Sequence, residues 1–415
     1  MKILVSGASV AGPSAALWLS RSGHNVTVVE VAPKLREGGY AVDFRGEVNK
    51  AVLRKMGVLA DLQALQTGGT AQRYVDATGR QLMRLPEDFA GGELELLRAD
   101  LSRVLYEHSR ERAAYRFGDS IASLQEHADG VDVRFESGLA ETYDLVVGAD
   151  GMHSVTRRLA FPAEQVTEHH RGYYVAGWEV PNRLGDEGDA LMYNTPGRLI
   201  SVGVDRRDRT LGGVLAVFRS PQLTYDRRDS DEQKAIVRRA FEGLEWNVPW
   251  LLEALPAATE WYFDAISRVN VSSWSAGRVV LLGDAGYGAT FGAMGTGTAV
   301  VAAYVLAGEL AAAHGDHRVA FARYEALLQK SVRRTQRGMS AGSFLAPASR
   351  LGLAARNRIL GSSFGLNSMM KMAQNFSNLI ELPNYPELDQ CSSGSLCRND
   401  SHESGSQPGT PRTAM

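Results

Sequence analysis

The chain has 415 residues with a hydrophobic fraction of 44% and a charged fraction of 22%, which excludes a disordered or fibrous protein over most of its length and leaves room for two domains or one large α/β domain. With 45 Lys and Arg against 47 Asp and Glu, the net charge is -2, so no global field draws it to nucleic acid or to an anionic membrane. The two cysteines, Cys391 and Cys397, both fall in the last stretch, which rules out a disulfide framework and a Cys-based zinc centre.

The first thirty residues read as one βαβ unit: a strand at Lys2–Ser6, a helix at Ala11–Arg21 closed by Gly23, and a strand at Asn25–Glu30. No apolar leader precedes the first strand, and the longest apolar helical stretch, Ala299 to Gly308, meets Glu309 short of the ~20 residues of a membrane span. A cytoplasmic protein without a membrane or nucleic-acid partner is expected. Gly7-Ala8-Ser9-Val10-Ala11-Gly12 stands where a G-x-G-x-x-G fingerprint belongs, between strand and helix. Gly7 permits the tight turn, Gly12 lets helix and strand pack closely, and Ser9 is small enough for backbone to approach a pyrophosphate. Glu30 is placed to accept from a ribose hydroxyl, which favours NAD or the adenosine half of FAD over NADP at this site. The competing reading is an ordinary glycine-bearing βα turn; the strand–turn–helix context and the acid at the right distance favour the dinucleotide.

Further on, the pattern predicts a helix over Asp100–Ala113, an alternating strand at Val131–Phe135 and a buried strand at Leu145–Val147 that delivers Asp150-Gly151. From about His169 to Val217 the texture changes to strand-like runs separated by turn residues, at Tyr173–Val180, Leu191–Tyr193, Leu199–Val204 and Gly213–Phe218, an inserted and mostly antiparallel sheet. At Arg278–Leu282 the α/β texture returns and delivers Gly283-Asp284, followed by a long helix from about Thr298 to His314. Each aspartate sits at the C-terminal end of a buried strand, where an open α/β sheet binds ligands. His169 and His170 point to opposite faces of a strand and make no metal site. Arg333, Arg334 and Arg337 read as a solvated helix face, and the two cysteines as incidental thiols.

These motifs, with Leu97-Arg98-Ala99-Asp100-Leu101, resemble the single-component FAD-dependent monooxygenases of the para-hydroxybenzoate hydroxylase type over residues 1 to about 385. The stretch Tyr173 to Trp178 and the phrase Leu382-Pro383-Asn384-Tyr385 are similar to the branch of tetracycline-inactivating monooxygenases. The resemblance implies an α/β fold: a discontinuous Rossmann-like FAD-binding domain (1–168 and 266–345), an inserted, mostly antiparallel substrate sheet (169–265) and a C-terminal helical segment (346–388). Composition makes 389–415 a disordered tail.

The resemblance further implies FAD as cofactor and NAD(P)H, with NADPH favoured, as visiting reductant. O2 would be activated as a flavin hydroperoxide and one oxygen atom transferred to a small organic substrate, aromatic or polyketide-like. Hydroxylation, epoxidation and Baeyer–Villiger insertion all remain open, as do a monomer and a homodimer. The alternatives are an FAD oxidase or dehydrogenase and a non-catalytic flavin-fold binding protein. Gly7, Ser9, Ala11, Gly12 and Glu30 would hold the adenine side of FAD, Arg98 its ribityl or phosphate region, and Asp284 the ribityl hydroxyls. Asp150 would serve the flavin and nicotinamide sides. Arg45 would run beside the isoalloxazine or else simply face solvent, and Arg157 would be structural or a nicotinamide-side cation. Gly295 and Thr296 would open the long helix under the flavin pyrimidine. Trp178, Tyr193 and Phe218 would wall the substrate pocket, with Phe291 near the ring. Two positions depart from the family: Val31 where an arginine is usual, and Phe291 near the place of a proline. No catalytic acid or base is identifiable from the sequence.

Overall fold

Five parallel strands and one antiparallel edge strand form the first layer, in the order β17 (Ser275–Ala276), β18 (Val279–Leu281), β11 (Leu145–Gly148), β1 (Lys2–Ser6), β2 (Asn25–Glu30) and β7 (Ala114–Phe117). In this computed structural model, residues 1–36, 41–185, 188–205, 207–290, 295–336, 341–377 and 381–390 are described. β1 pairs with β2 and β11 in register Ile3 to Val26 and Ile3 to Leu145. Ile3, Leu4, Val5, Val146 and Val147 are all buried, as strands covered on both faces must be. Helices α1 (Ala11–Arg21), α5 (Arg98–Ser109) and α10 (Gly295–Ala312) pack together on this layer, flanked by α2 (Glu47–Met56), α3 (Leu59–Ala64) and α11 (His317–Gln336). A three-stranded meander of β8 (Ile121–His127), β9 (Gly130–Phe135) and β10 (Ala140–Tyr143) adds Val131, Val133, Phe135 and Tyr143 to the same core.

The second layer is a seven-stranded sheet in the order β16 (Trp261–Val271), β12 (Val166–Pro181), β15 (Leu211–Arg219), β14 (Arg198–Val204), β13 (Ala190–Thr195), β4 (Gln72–Val75) and β5 (Gln81–Leu85). It is antiparallel throughout except for the β13–β4 pair. Two of its short strands come from residues expected in the nucleotide-binding part: β4 and, at the edge, β5. The expected divisions at 168/169 and 265/266 fall inside β12 and β16, which pair along most of their length across a bulge at His170 to Tyr173. Both strands belong wholly to the seven-stranded sheet.

Side-chain alternation gives this sheet two cores. On one face Tyr174, Ala176, Trp178, Tyr193 and Phe218 pack against α7 (Ser230–Phe241) and α8 (Val248–Ala254). On the other, Tyr173, Val175, Met192, Leu199 and Val217 pack with residues of α12 (Ala341–Leu345), α13 (Arg350–Leu360) and α14 (Ser363–Ser377). A two-stranded ribbon, β3 (Ala41–Phe44) with β6 (Leu94–Leu97), lies close to α4 (Glu87–Gly91), while α6 (Val155–Ala160) follows β11 and α9 (Asp284–Tyr287) follows β18.

α10 is apolar all round. Its 18 residues are long and hydrophobic enough to cross a bilayer, but 78% of them are buried in the protein, so it is the central core helix. A Cβ on its Gly308 would lie 2.1 Å from the Tyr385 ring. That ring instead packs flat on the helix and donates its hydroxyl to Glu309 Oε1 (2.7 Å), while Tyr304 donates to the Pro383 carbonyl (3.1 Å). The Leu382–Tyr385 phrase is thus a clamp on α10. Asp389 and Gln390, expected in the tail, end the short helix α15 (Pro386–Gln390), whose Leu388 is fully buried. Residues 391–415, Cys391 and Cys397 among them, lie outside the described residues.

Candidate active site

The glycine turn after β1 is made of backbone in direct contact. Gly7 has φ 104° and donates its N–H to the Val29 carbonyl (2.7 Å). A Cβ on Gly7 would lie 2.5 Å from the Ala149 oxygen, and one on Gly12 only 1.8 Å from the Gly7 oxygen. Neither position admits another residue, and the open turn leaves the first N–H groups of α1 facing outward, as phosphate binding requires. Glu30, at the end of β2, accepts from the backbone N–H of Ala8 (2.8 Å) and of Ala32 (3.0 Å), one through each oxygen. This pins the carboxylate beside the turn with lone pairs to spare for a ribose hydroxyl. Ser9 Oγ accepts from Arg98 Nη2 (3.2 Å), tying the turn to the start of α5.

The second turn meets the first. Gly283 has φ 65°, and a Cβ there would press on Ala299 of α10 (3.2 Å) and Ala11 of α1 (3.4 Å). Asp284 follows at the head of α9, and its Oδ1 lies 3.7 Å from the Cβ position of Gly295, the first residue of α10. Burial pushes the Asp284 carboxyl above the usual carboxylate range, and Arg98 offsets part of the rise. Among the described residues this carboxylate makes no hydrogen bond, although the residue is only half-buried, so it lines an opening. A deep carboxylate without a donor, beside the amino end of α10 at Gly295 and Thr296, is a receptor for hydroxyl groups at a positive helix end. A dinucleotide fits this cradle: phosphates on the glycine turn, one ribose on Glu30, a polyol on Asp284.

Arg45 does not face solvent. Its side chain is 18% exposed, pairs with Asp43 (2.5 Å), and donates to the Phe89 carbonyl (3.3 Å). Asn49, on the next turn of chain, donates to the Arg45 carbonyl (2.8 Å) and fills the space that a Cβ on Gly297 would need, 2.7 Å from its Oδ1. Asn49 was not singled out by the sequence; the available signal was a polar residue on the apolar face of α2.

Asp150 is drawn into the chain's own bonds. Its Oδ1 accepts from Ser154 Oγ (2.5 Å), and its Oδ2 from the Thr156 N–H and hydroxyl (2.9 Å each) and from Ser6 Oγ (3.3 Å). It therefore shapes the loop between β11 and α6. Of the two expectations for Arg157, the geometry favours the structural one. Its buried guanidinium donates to the carbonyls of Ala285 (2.7 Å) and Met152 (2.6 Å) and to Glu168 (2.7 Å), bolting the Asp-Gly loop to the Gly-Asp turn. In the same loop, His153 Nε2 lies 3.1 Å from both oxygens of Asp264 on β16. Arg227 donates to its Nδ1 (2.5 Å), so the network assigns the neutral ring with its proton on Nε2.

The expected substrate wall requires correction. Trp178, Tyr193 and Phe218 all lie on the sheet face turned to α7 and α8: Trp178 donates to the Leu251 carbonyl (3.2 Å), Tyr193 packs on Trp246 and Phe218 on Phe241. The reason is the two-residue period of a strand, which sends these side chains away from the Gly-Asp turn. Tyr262, Met192 and Leu215 lie on the other face, the one that packs with residues of α12, α13 and α14. Burial pushes the Tyr262 phenol up, Asp264 and Asp284 add to the rise, and Arg98 opposes it, which places Tyr262 within electrostatic reach of the Gly-Asp turn. Phe291 lies outside the described residues.

Comparison with known proteins agrees with this architecture. Residues 1–320 match the FAD binding domain family. A flavin-dependent monooxygenase of Legionella longbeachae is 36% identical over 392 residues, covering 93% of this chain and 98% of that protein. The chain belongs to the flavin-dependent monooxygenases. The crystal structure of the tetracycline destructase Tet(51) superposes on this monooxygenase with a TM-score of 0.81 at 34% identity, covering 92% of this chain and 98% of the other. Klebsiella pneumoniae HpxO, solved with FAD and uric acid, has a TM-score of 0.71 at 23% identity over 92% of this chain and 98% of its own, and shares the fold. In the monooxygenase the two glycine turns, Arg98 and the start of α10 lie together.

Proposed function

We propose that this monooxygenase uses NAD(P)H, with NADPH favoured, and O2 to insert one oxygen atom into a small polycyclic, polyketide-like or aromatic compound. The observation that carries the reading is Asp284: a carboxylate with no hydrogen bond among the described residues, at the meeting point of the two glycine turns and the amino end of α10. Relatives described as flavin-dependent monooxygenases and a tetracycline destructase support the reaction class and a polycyclic substrate. We further propose that the enzyme acts in the cytoplasm as a monomer or homodimer.

Bound FAD supplies the two-electron exchange with the nicotinamide and the activation of O2. The chain supplies the rest. Gly7, Ser9, Gly12 and Glu30 anchor the adenosine half, while Asp284 and Arg98 orient the middle of the cofactor. The amino end of α10 offers its positive dipole to negative charge on the ring. Met192, Leu215 and Tyr262 exclude water from the side where substrate lies. Arg45, fixed by Asp43 and the Phe89 carbonyl, holds the ribbon that edges the site.

The test is isotopic. Purified yellow protein is reduced anaerobically with NADPH or NADH, then exposed to 18O2 with a panel of polycyclic phenols. One labelled oxygen in the product supports the reading. Reduction by the organic compound itself, with hydrogen peroxide and an unlabelled product, would assign an oxidase instead.

A further inference from the structure

The overall charge conceals a local imbalance. Between Glu325 and Glu381 the sequence carries eight Lys or Arg and no Asp or Glu. Helices α13 and α14 occupy the middle of that segment. Their inner residues, Leu360, Leu366 and Met369, help cover the second sheet. Their outer faces leave Leu351 83%, Ile359 52% and Phe364 84% exposed.

The exposure is ordered. On α13, Leu351, Ala355 and Ile359 follow one another at four-residue spacing, with Arg358 alongside; on α14, Phe364, Ser368 and Lys371 form the matching stripe. A Cβ on Gly365 would lie 2.2 Å from the Ile359 carbonyl oxygen, so the connection is tight and sets Ile359 and Phe364 at one tip. Arg350, Arg358 and Lys371 are exposed and form no ion pair among the described residues. Protruding apolar side chains framed by unanswered cations are the chemistry of a face that lies on anionic lipid.

We propose that the α13–α14 hairpin docks this protein reversibly on an anionic bilayer surface, with Leu351, Ile359 and Phe364 at the headgroup–acyl boundary and Arg350, Arg358 and Lys371 on lipid phosphates. A second copy of the chain suits the face less well. A two-fold contact sets a patch against itself, so cations would meet cations with no carboxylate in the segment to answer them. Three apolar side chains also fall short of the ~800 Å² per partner that a stable interface buries. The expectation of no membrane partner rested on whole-chain charge and on spanning length, and neither bears on a peripheral contact. The proposal does not depend on the flavin chemistry.

Flotation of the purified full-length protein tests it, with vesicles of phosphatidylcholine alone and vesicles containing an equal part of phosphatidylglycerol. Binding is expected to the anionic vesicles only, falling as salt is raised. Leu351→Ser/Phe364→Ser should lower partitioning at least about tenfold. Arg350→Glu/Arg358→Glu/Lys371→Glu should lower it about a hundredfold or more. Both variants alter only exposed side chains and should keep their flavin content and melting temperature, which separates lost docking from lost folding. Binding to neither vesicle, equal binding to both, or unchanged binding by both variants overturns the proposal. So does a wild-type dimer in sedimentation velocity that Leu351→Ser/Phe364→Ser converts to monomer, which would give the face to a second copy.

Discussion

In the proposed role Asp284 would serve the cofactor at the expense of the empty fold. Hydrogen bonds from ribityl hydroxyls to its carboxylate would be charge-assisted, each worth ~1.5–3 kcal/mol, so Asp284→Ala should weaken FAD by one to two orders of magnitude. Flavin titration of apoprotein by fluorescence measures this. The same carboxyl has its pKa raised by burial in the folded state, so the folded chain holds the proton more tightly than the unfolded one. Stability of the flavin-free protein therefore falls as pH rises from the ordinary carboxylate value through the raised one, and the full cost is present above the raised one. Asp284→Asn should accordingly melt higher than wild type as apoprotein near neutral pH, with the difference vanishing in acid, while binding FAD more weakly. An apoprotein variant that melts lower at neutral pH would refute the burial argument. Glu30→Ala should also loosen FAD; if it spares FAD and abolishes tight NADH binding instead, the glycine turn belongs to the nicotinamide. Both acids were legible in the sequence because each stands at or just past the end of a buried strand, Glu30 at a fixed distance from the glycine turn and Asp284 next to Gly283. Tyr262 and Asn49 were not, since nothing in a local window tells which neighbour an alternating side chain will face.

The elements show the same limit and one further test. Strands such as β12, with buried residues on both faces from Tyr173 to Trp178, are announced by their apolar run without announcing which side faces the site. Trp178, Tyr193 and Phe218 face α7 and α8 for a reason that no local window carries. Trp178→Phe loses the bond to the Leu251 carbonyl and some packing, and should cost ~1–3 kcal/mol in urea unfolding with KM unchanged. Tyr262→Phe should do the converse, altering KM or product distribution with little loss of stability. In the α10 clamp, Tyr385→Phe strips the buried Glu309 of its hydroxyl donor and should cost ~1–3 kcal/mol. Gly308→Ala cannot keep the Tyr385 ring where it is and should cost more than Tyr385→Phe. Thermal denaturation of the pair ranks them, and the reverse order would argue against the clamp. The short strands β4 and β5 escaped the sequence reading because runs of four and five residues are too brief to separate from loop.

At the scale of the whole molecule, polar ties join the two layers. Arg157 meets Glu168 on β12, His153 meets Asp264 on β16, and Arg207 pairs with Asp100 at the head of α5. Removing the charge at one of these should be felt at both. Arg157→Met leaves two carbonyls without their donor in a buried place and should cost ~3–5 kcal/mol of stability, with FAD content falling in step. Equilibrium unfolding together with the flavin spectrum measures both, and loss of one without the other would separate the bolt from the site. The discontinuous nucleotide layer was visible in the sequence as α/β texture lost and regained; the long pairing of β12 with β16 was not, because the partners lie about a hundred residues apart. The strand order also sets a timetable for synthesis. β1 lies in the middle of its sheet, yet its neighbour β11 is made some 140 residues later, β18 not until residue 279, and the clamp on α10 not until residue 385. At ~5–20 residues per second of elongation, the first strand leaves the ribosome tens of seconds before its layer can close. During that interval its apolar edge is open to wrong partners, and a nascent chain released early, before α10 is sealed, is a natural client for chaperones.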